Sequence, residues 1–408
     1  MDVASVRGLY AGLSDGWTYL NAHDAPQIAE RVSAAVARSF RMAPSVAADE
    51  GPSGSHSASP AAGRLERDGL RRQAEMAVAD LAGVTSGCVV LGPSLDVLYA
   101  KLAACLQPLL RRNSSIVQQR LGAFDFSHLG AQVRWAQPDL GTGELPAYQF
   151  AELIDGSTRL VAFHAADPVL GSVADVTEIA ATVRAHSRAW TLVDVSALAP
   201  YRSVDIAQLG VDIIGVDMAQ LGGPDIAALV FRTPAMLERL HVTRAELASP
   251  VSAGLAGGVA ATVDHLASFG ADSSSGTALQ GRRDSRRTRL HNSLAELSRY
   301  TDSLRDDLYA LLGTLPAVHI VGVTGEAALG ANTANRIPRL SFAVRGVPAA
   351  TVHQRLFGNG LVTTLTPPSP LLVEMGLDEL GGAITVALGP FNTFADIEHL
   401  TRVVASLA

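Results

Sequence analysis

The stretch VDIIGVDMAQLGGPDIAALVF, Val211–Phe231, decides the fold. Asp212–Met218 is a short apolar run carrying a carboxylate near its end. Gly222-Gly223-Pro224 is a turn, and Ala227–Phe231 is a second apolar run. Runs this short and this continuous read as strands covered on both faces, because a half-exposed strand would alternate polar and apolar residues. Working back toward the N-terminus, the same kind of run recurs in CVVLG (88–92), SIVQQRL (115–121), AQVRWAQPD (131–139), RLVAFHAA (159–166) and AWTLVDVS (189–196). Helical spacing separates them. Arg64–Gly83 stops at a glycine. The segment 93–110 takes Ser94 as N-cap and Asp96 in its first turn, and 172–187 follows the same pattern. Strands alternating with helices predict a three-layer α/β/α domain built on a mostly parallel, mixed sheet.

After helical regions at 256–267 and 290–315 the pattern changes. HIVGV, RLSFAV, LVTTLT and AITVAL read as strands, with helices at 349–360 and 394–407, which together predict a small α+β C-terminal domain. The expected organisation is an N-terminal segment 1–25 packing with the small domain, a large domain 26–268, a linker 269–289 and the small domain 290–408. Segments 43–63 and 270–287 are rich in Ser, Gly, Pro and Asp and read as exposed loops.

The 408 residues carry a net charge of −7, with 48% hydrophobic and 5% aromatic residues. The acidic balance argues against a nucleic-acid partner. No apolar run reaches the roughly 18 residues that span a bilayer. The N-terminus lacks a basic region followed by an apolar stretch, so no signal peptide is expected. Cys88 and Cys105 sit in apolar surroundings and read as reduced, which predicts a cytoplasmic protein. The histidines and cysteines show no metal-ligand spacing, and no Gly-x-Ser-x-Gly, phosphate-loop or His-Glu-x-x-His motif is present. Of 32 Lys and Arg residues one is a lysine, Lys101, so any chemistry that needs a lysine amine must use it.

Several segments, in order, resemble the class V aminotransferase family, which includes cysteine desulfurases. They are YLNAHDAP (19–26), GAQVRWAQPDLGTGEL (130–145), the block from Ser157 to Ala181, the block from Thr191 to Phe231, and VALGPFNTFADIEHL (386–400). The resemblance implies the pyridoxal phosphate (PLP)-dependent transferase fold, a homodimer, and a ligand cleft between domains or subunits. It also implies a lysine holding PLP as an aldimine, in Ser-x-His-Lys-x-x-Gly-Pro. Here the matching stretch is Asp217 to Pro224, which puts Gln220 at the lysine and Ala219 at the histidine.

Asp194 matches the aspartate facing the pyridine nitrogen, and Ala197 the family's Gln or His three residues later. Gly122 to Asp125 match the ring-stacking histidine segment and offer Phe124. Ser94 and Asp96 fall at the phosphate site, where a carboxylate repels phosphate. Ser249-Pro250 match the pair lent by the neighbouring subunit, Asp167-Pro168 the asparagine at the ring oxygen, and Thr385 the carboxylate-binding arginine. The desulfurase cysteine has no match in 361–372.

Asp217 and Asp167 read as pocket carboxylates or as turn residues, Asp167 as the latter because Pro168 follows. His23 and His164 read as structural histidines. Arg282–Arg289 reads as a solvated segment rather than a site for an anionic partner. The expectation is a binding or scaffold homologue without covalent PLP. The alternatives are a PLP-independent enzyme reusing the pocket through Asp194, Asp217 or His23, and non-covalent PLP binding.

Overall fold

The computed structural model describes residues 2–47, 64–120, 124–269, 284–323 and 336–407. Seven strands form the large sheet: β1 (Val89–Gly92), β2 (Ser115–Gln119), β3 (Gln132–Ala136), β4 (Thr158–His164), β5 (Trp190–Asp194), β6 (Ile213–Asp217) and β7 (Ala227–Phe231). Their spatial order is β3-β2-β4-β5-β6-β7-β1. β7 is antiparallel to both neighbours, and every other neighbouring pair is parallel. All five β7 residues are buried, as its unbroken apolar run requires. The expected mixed, mostly parallel sheet is therefore the observed one.

Helices cover both faces of the sheet. The main ones are α1 (Glu30–Met42), α2 (Glu66–Ala82), α3 (Leu95–Leu106), α4 (Val176–His186) and α5 (Ala253–Leu266). Gly83 ends α2 in the left-handed conformation (φ 77°), where a side chain would be strained. Ser94 caps α3 by accepting the Val97 N–H, and Asp96 lies in the first turn. α1 is amphipathic although its average composition is polar. It packs on the glycines of α5: a Cβ at Gly254 would meet the Phe40 ring, and one at Gly257 would collide with Ser39.

The long helix α6 (Arg286–Gly313) leads to a four-stranded sheet of β8 (Val318–Ile320), β9 (Arg339–Val344), β10 (Thr364–Leu365) and β11 (Ile384–Ala387), ordered β10-β11-β9-β8. Its neighbouring pairs are antiparallel. Helices α7 (Ala349–Gly358) and α8 (Phe394–Ala405) pack around it. Leu340, Phe342 and Val344 of β9 join Leu308 and Leu312 of α6 and Leu400 of α8 in one core cluster. Full burial of each such side chain is worth about 1.5–3 kcal/mol.

The run LVTTLT is not one strand. Leu361–Val362 pairs in parallel with Thr18–Tyr19, while Thr364–Leu365 pairs with Ile384 and Thr385. The chain turns between two sheets at Thr363, so the expected single strand divides. α6 begins at Arg286, inside the expected linker, because the Ser285 hydroxyl accepts the Thr288 N–H and caps it there. Most of the two expected loops, 48–63 and 270–283, lies outside the described residues, as do Arg282 and Arg283 of the arginine cluster.

Candidate functional site

Sheet register brings the site together. His164 at the end of β4 pairs with Asp194 at the end of β5, and Asp194 pairs with Gly215 of β6. Asp217 ends β6 opposite Ala227 of β7, and Ala227 is also paired with Gly92, the last residue of β1. The chain after Gly92 passes into α3, which returns Ser94, Leu95 and Asp96 to this same edge. Crevices beyond the carboxyl ends of parallel strands are the usual ligand sites of such sheets.

A cavity of about 400 Å³ opens there. It is lined by His23, Asp24, Ser94, Leu95, Asp96, His164, Pro168, Asp194, Ser196, Ala197, Asp217 and Gln220. Four of these are carboxylates, and neither a lysine nor an arginine lines the cavity among the described residues. Mutual repulsion of close carboxylates disfavours a further negative charge at this end.

Asp194 is 6% exposed and fully engaged. Oδ2 accepts the Tyr99 hydroxyl at 3.1 Å, and Oδ1 accepts the Ser196 N–H at 2.9 Å. Tyr99 reaches it from α3 across Gly215, where a Cβ would collide with the Tyr99 hydroxyl. Burial, and then the charge of Asp194, push the Tyr99 phenol well above its ordinary range, so it stays protonated and donating. His164 Nε2 lies 3.9 Å from Asp194 Oδ2, and its ring packs 5.0 Å from the Phe124 ring. Phe124 is therefore part of the aromatic wall behind Asp194, while Gly122 and Ala123 lie outside the described residues.

Asp217 accepts the Ala219 N–H at 3.0 Å, and its own N–H donates to Ser196 Oγ. Burial raises its pKa. The Ala219 hydrogen bond opposes that rise, and the charges of Asp194, Asp225 and Asp96 add to it. His23 is held neutral, at about 4, by burial and then by the Arg339 charge.

Gln220 lies in the turn Met218–Leu221 after β6 and lines the cavity. Lys101 does not. Its Nζ donates to the carbonyls of Glu246 (3.1 Å) and Ala248 (2.5 Å), on the other side of α3. Thr385 is fully buried in β11, bonded to the hydroxyls of Ser341 and Thr366, and is not among the lining residues. Asp167 Oδ1 accepts the N–H groups of Val169 and Leu170, as a turn residue does. Ser249 and Pro250 line a separate groove with Arg71, Glu75 and Arg244. In the arginine cluster, Arg286 pairs with Asp80 and Asp264, Arg287 with Asp205, and Arg289 with Asp264.

Asp194, Asp217, Ser94, Asp96, His23 and Gln220 thus meet in one cavity. Sequence reasoning missed Tyr99, Ser196 and Arg339. Tyr99 has a signal in hindsight, a phenol one helical turn past Leu95 on the buried face of α3. Among the described residues no group of His, Cys, Asp or Glu is arranged to hold a metal, and no helix is long and apolar enough to cross a membrane.

Residues 123–244 match the family model described as aminotransferase class-V. Over its full length the chain is 34% identical to an uncharacterised protein of Mycobacterium tuberculosis (strain CDC 1551 / Oshkosh), covering 99% of that relative. It is also 31% identical to a cysteine desulfurase of Yersinia pestis (strain Pestoides F) over 132 residues, 32% of this chain and 31% of the relative. The fold is similar to an apo cysteine desulfurase structure from Thermococcus onnurineus NA1 (TM-score 0.77, 17% identity, 99% of this chain and 97% of the other). It is likewise similar to a cysteine desulfurase from Escherichia coli (TM-score 0.74, 18% identity, 100% and 98%).

Proposed function

The chain belongs to the class-V aminotransferase family and has the fold of its cysteine desulfurases, and from that premise we propose a small-molecule-binding member that forms no lysine aldimine with PLP. The observation that carries this reading is Gln220 in the turn after β6, lining the cavity where the family motif has its lysine. An amide has no nucleophilic lone pair to attack an aldehyde carbon. Lys101 has its ammonium committed to two carbonyls on the far side of α3.

The family normally binds PLP, but the residues present here do not fit it as the family motif would hold it. The side chain of Ser94 is used in capping α3, and Asp96 beside it would face the phosphate. Asp194 is in place for a ring nitrogen, yet it already takes two hydrogen bonds from Tyr99 and Ser196. The family's dimeric cleft suits a binding or scaffold role, and we read the chain as a homodimer.

A second reading, a PLP-independent enzyme, is favoured by one observation. Asp217, with its pKa raised, and His23, neutral at about 4, face the same cavity. Shifted groups gathered in a cleft are a mark of acid–base sites.

The test is a PLP titration of the purified protein, followed by absorbance and by Tm. The reading predicts no aldimine band. A rise in Tm with a free-aldehyde spectrum would mean non-covalent binding. An aldimine band would overturn the reading.

A further inference from the structure

A second, smaller cavity of about 50 Å³ adjoins the first, and Gln220 lines both. Three parts of the chain meet around it. The N-terminal segment supplies Tyr10 and Ala22, the end of α5 and the residues after it supply His265 and Phe269, and the turn after β11 supplies Phe391. The larger cavity is lined by four carboxylates, whereas no Asp, Glu, Lys or Arg among the described residues lines this one. A charged group would enter it without a counter-charge, which is costly away from water. The chemistry that fits is uncharged.

Both tyrosine hydroxyls at the wall are engaged. Tyr10 Oη lies 2.8 Å from His265 Nε2, and Tyr201 donates to the Leu388 carbonyl at 2.9 Å. His265 Nδ1 is buried and has no partner among the described residues. Edge-to-face contacts hold its ring against Tyr10 and Phe269, with centroids 5.4 and 4.8 Å apart. Burial, and then the Arg31 charge, keep the imidazole neutral, at about 4. A neutral imidazole has one donor nitrogen and one acceptor nitrogen. Whichever role Nε2 takes toward Tyr10, Nδ1 keeps the other, unmet. A hydroxyl can donate or accept, so it satisfies Nδ1 in either tautomer. Size sets the rest: a single water needs roughly 10–15 Å³ of such space, so the cavity has room for about three or four heavy atoms.

We propose that this cavity is a second binding site, for a short uncharged group that carries a hydroxyl. His265 Nδ1 bonds the hydroxyl, and the rings of Tyr10, Phe269 and Phe391 pack on its carbon atoms. The assignment does not depend on what the larger cavity takes.

The experiment titrates 1-propanol into the full chain, with propionate as the charged control of equal length, and reads saturation-transfer NMR. Wild type should bind 1-propanol saturably with a Kd of about 1 mM, and propionate at least about tenfold more weakly. His265→Gln keeps a partner for the Tyr10 hydroxyl but has no second ring nitrogen, and should weaken propanol binding about tenfold. Ala22→Leu fills the cavity from its half-buried N-terminal wall and should abolish saturable binding. It carries the test if the histidine variant does not fold. No saturable propanol signal in wild type would overturn the assignment, because the cavity would then hold water only. So would propanol binding that survives in Ala22→Leu, or propionate binding as tight as propanol and lost in that variant.

Discussion

The two ends of the cavity differ in how far the protein satisfies itself. At the sheet end the buried carboxylates have partners: Tyr99 and Ser196 for Asp194, and the Ala219 N–H for Asp217. At the small-domain end Arg339 and His23 keep buried donors or acceptors with none. The sheet end is a finished hydrogen-bond network. The small-domain end instead keeps Nε and Nη2 of Arg339 and Nδ1 of His23 without hydrogen-bond partners.

The comparison can be broken first at the sheet end. Gly215→Val would push Tyr99 off Asp194 and overpack the β6–α3 contact, a loss of about 3 kcal/mol in urea unfolding. A loss under about 1 kcal/mol would mean that Tyr99 is not anchored there.

At the other end, His23 has its pKa depressed from 6.5 to about 4. The unfolded chain therefore binds a proton that the folded chain refuses. Stability from this group is complete above pH 6.5 and is lost as pH falls toward 4, by at most about 3 kcal/mol. His23→Gln should flatten that part of the stability profile. An unchanged slope would show that the buried imidazole is not responsible; His265, also held near 4, would then be the group to replace.

Tyr99→Phe removes one hydrogen bond and leaves a buried carboxylate oxygen short of a donor, costing about 1–3 kcal/mol. Asp217→Asn acts in the opposite direction and more weakly. A raised carboxyl pKa favours the folded state below the unfolded pKa, and that advantage is lost as pH rises through the folded value. The Asn variant keeps an acceptor for the Ala219 N–H without the charge. It should be more stable than wild type at neutral pH, and the difference should close in acid. A variant less stable at neutral pH would mean that the Asp217 charge has a favourable partner.

What could be read from sequence follows from what packing constrains. Strands β5 to β7 are almost wholly buried, so apolar residues dominate them and the runs announce themselves. Asp194 and Asp217 were legible as the carboxylates that end those runs. α1 went unread although its apolar residues lie on one side; that side packs on Gly254, Gly257 and Gly258 of α5. Arg339 was hidden differently. RLSFAV reads as a strand with one polar face, and a polar face ordinarily points to water. Here Arg339 and Ser341 instead face the turn 167–170, donating to the carbonyls of Pro168 and Val169. Only the contact between domains reveals that they are buried. Tyr99 was unread because its role depends on the missing side chain at Gly215, in another strand.

The central claim is that this chain holds no aldimine-forming lysine, and reductive trapping tests it most directly. The full chain is incubated with PLP, reduced with borohydride, digested and mapped by mass. The account predicts no pyridoxyl group on Lys101 beyond the level seen in the unfolded chain. Stoichiometric labelling of Lys101 in the native protein would contradict it.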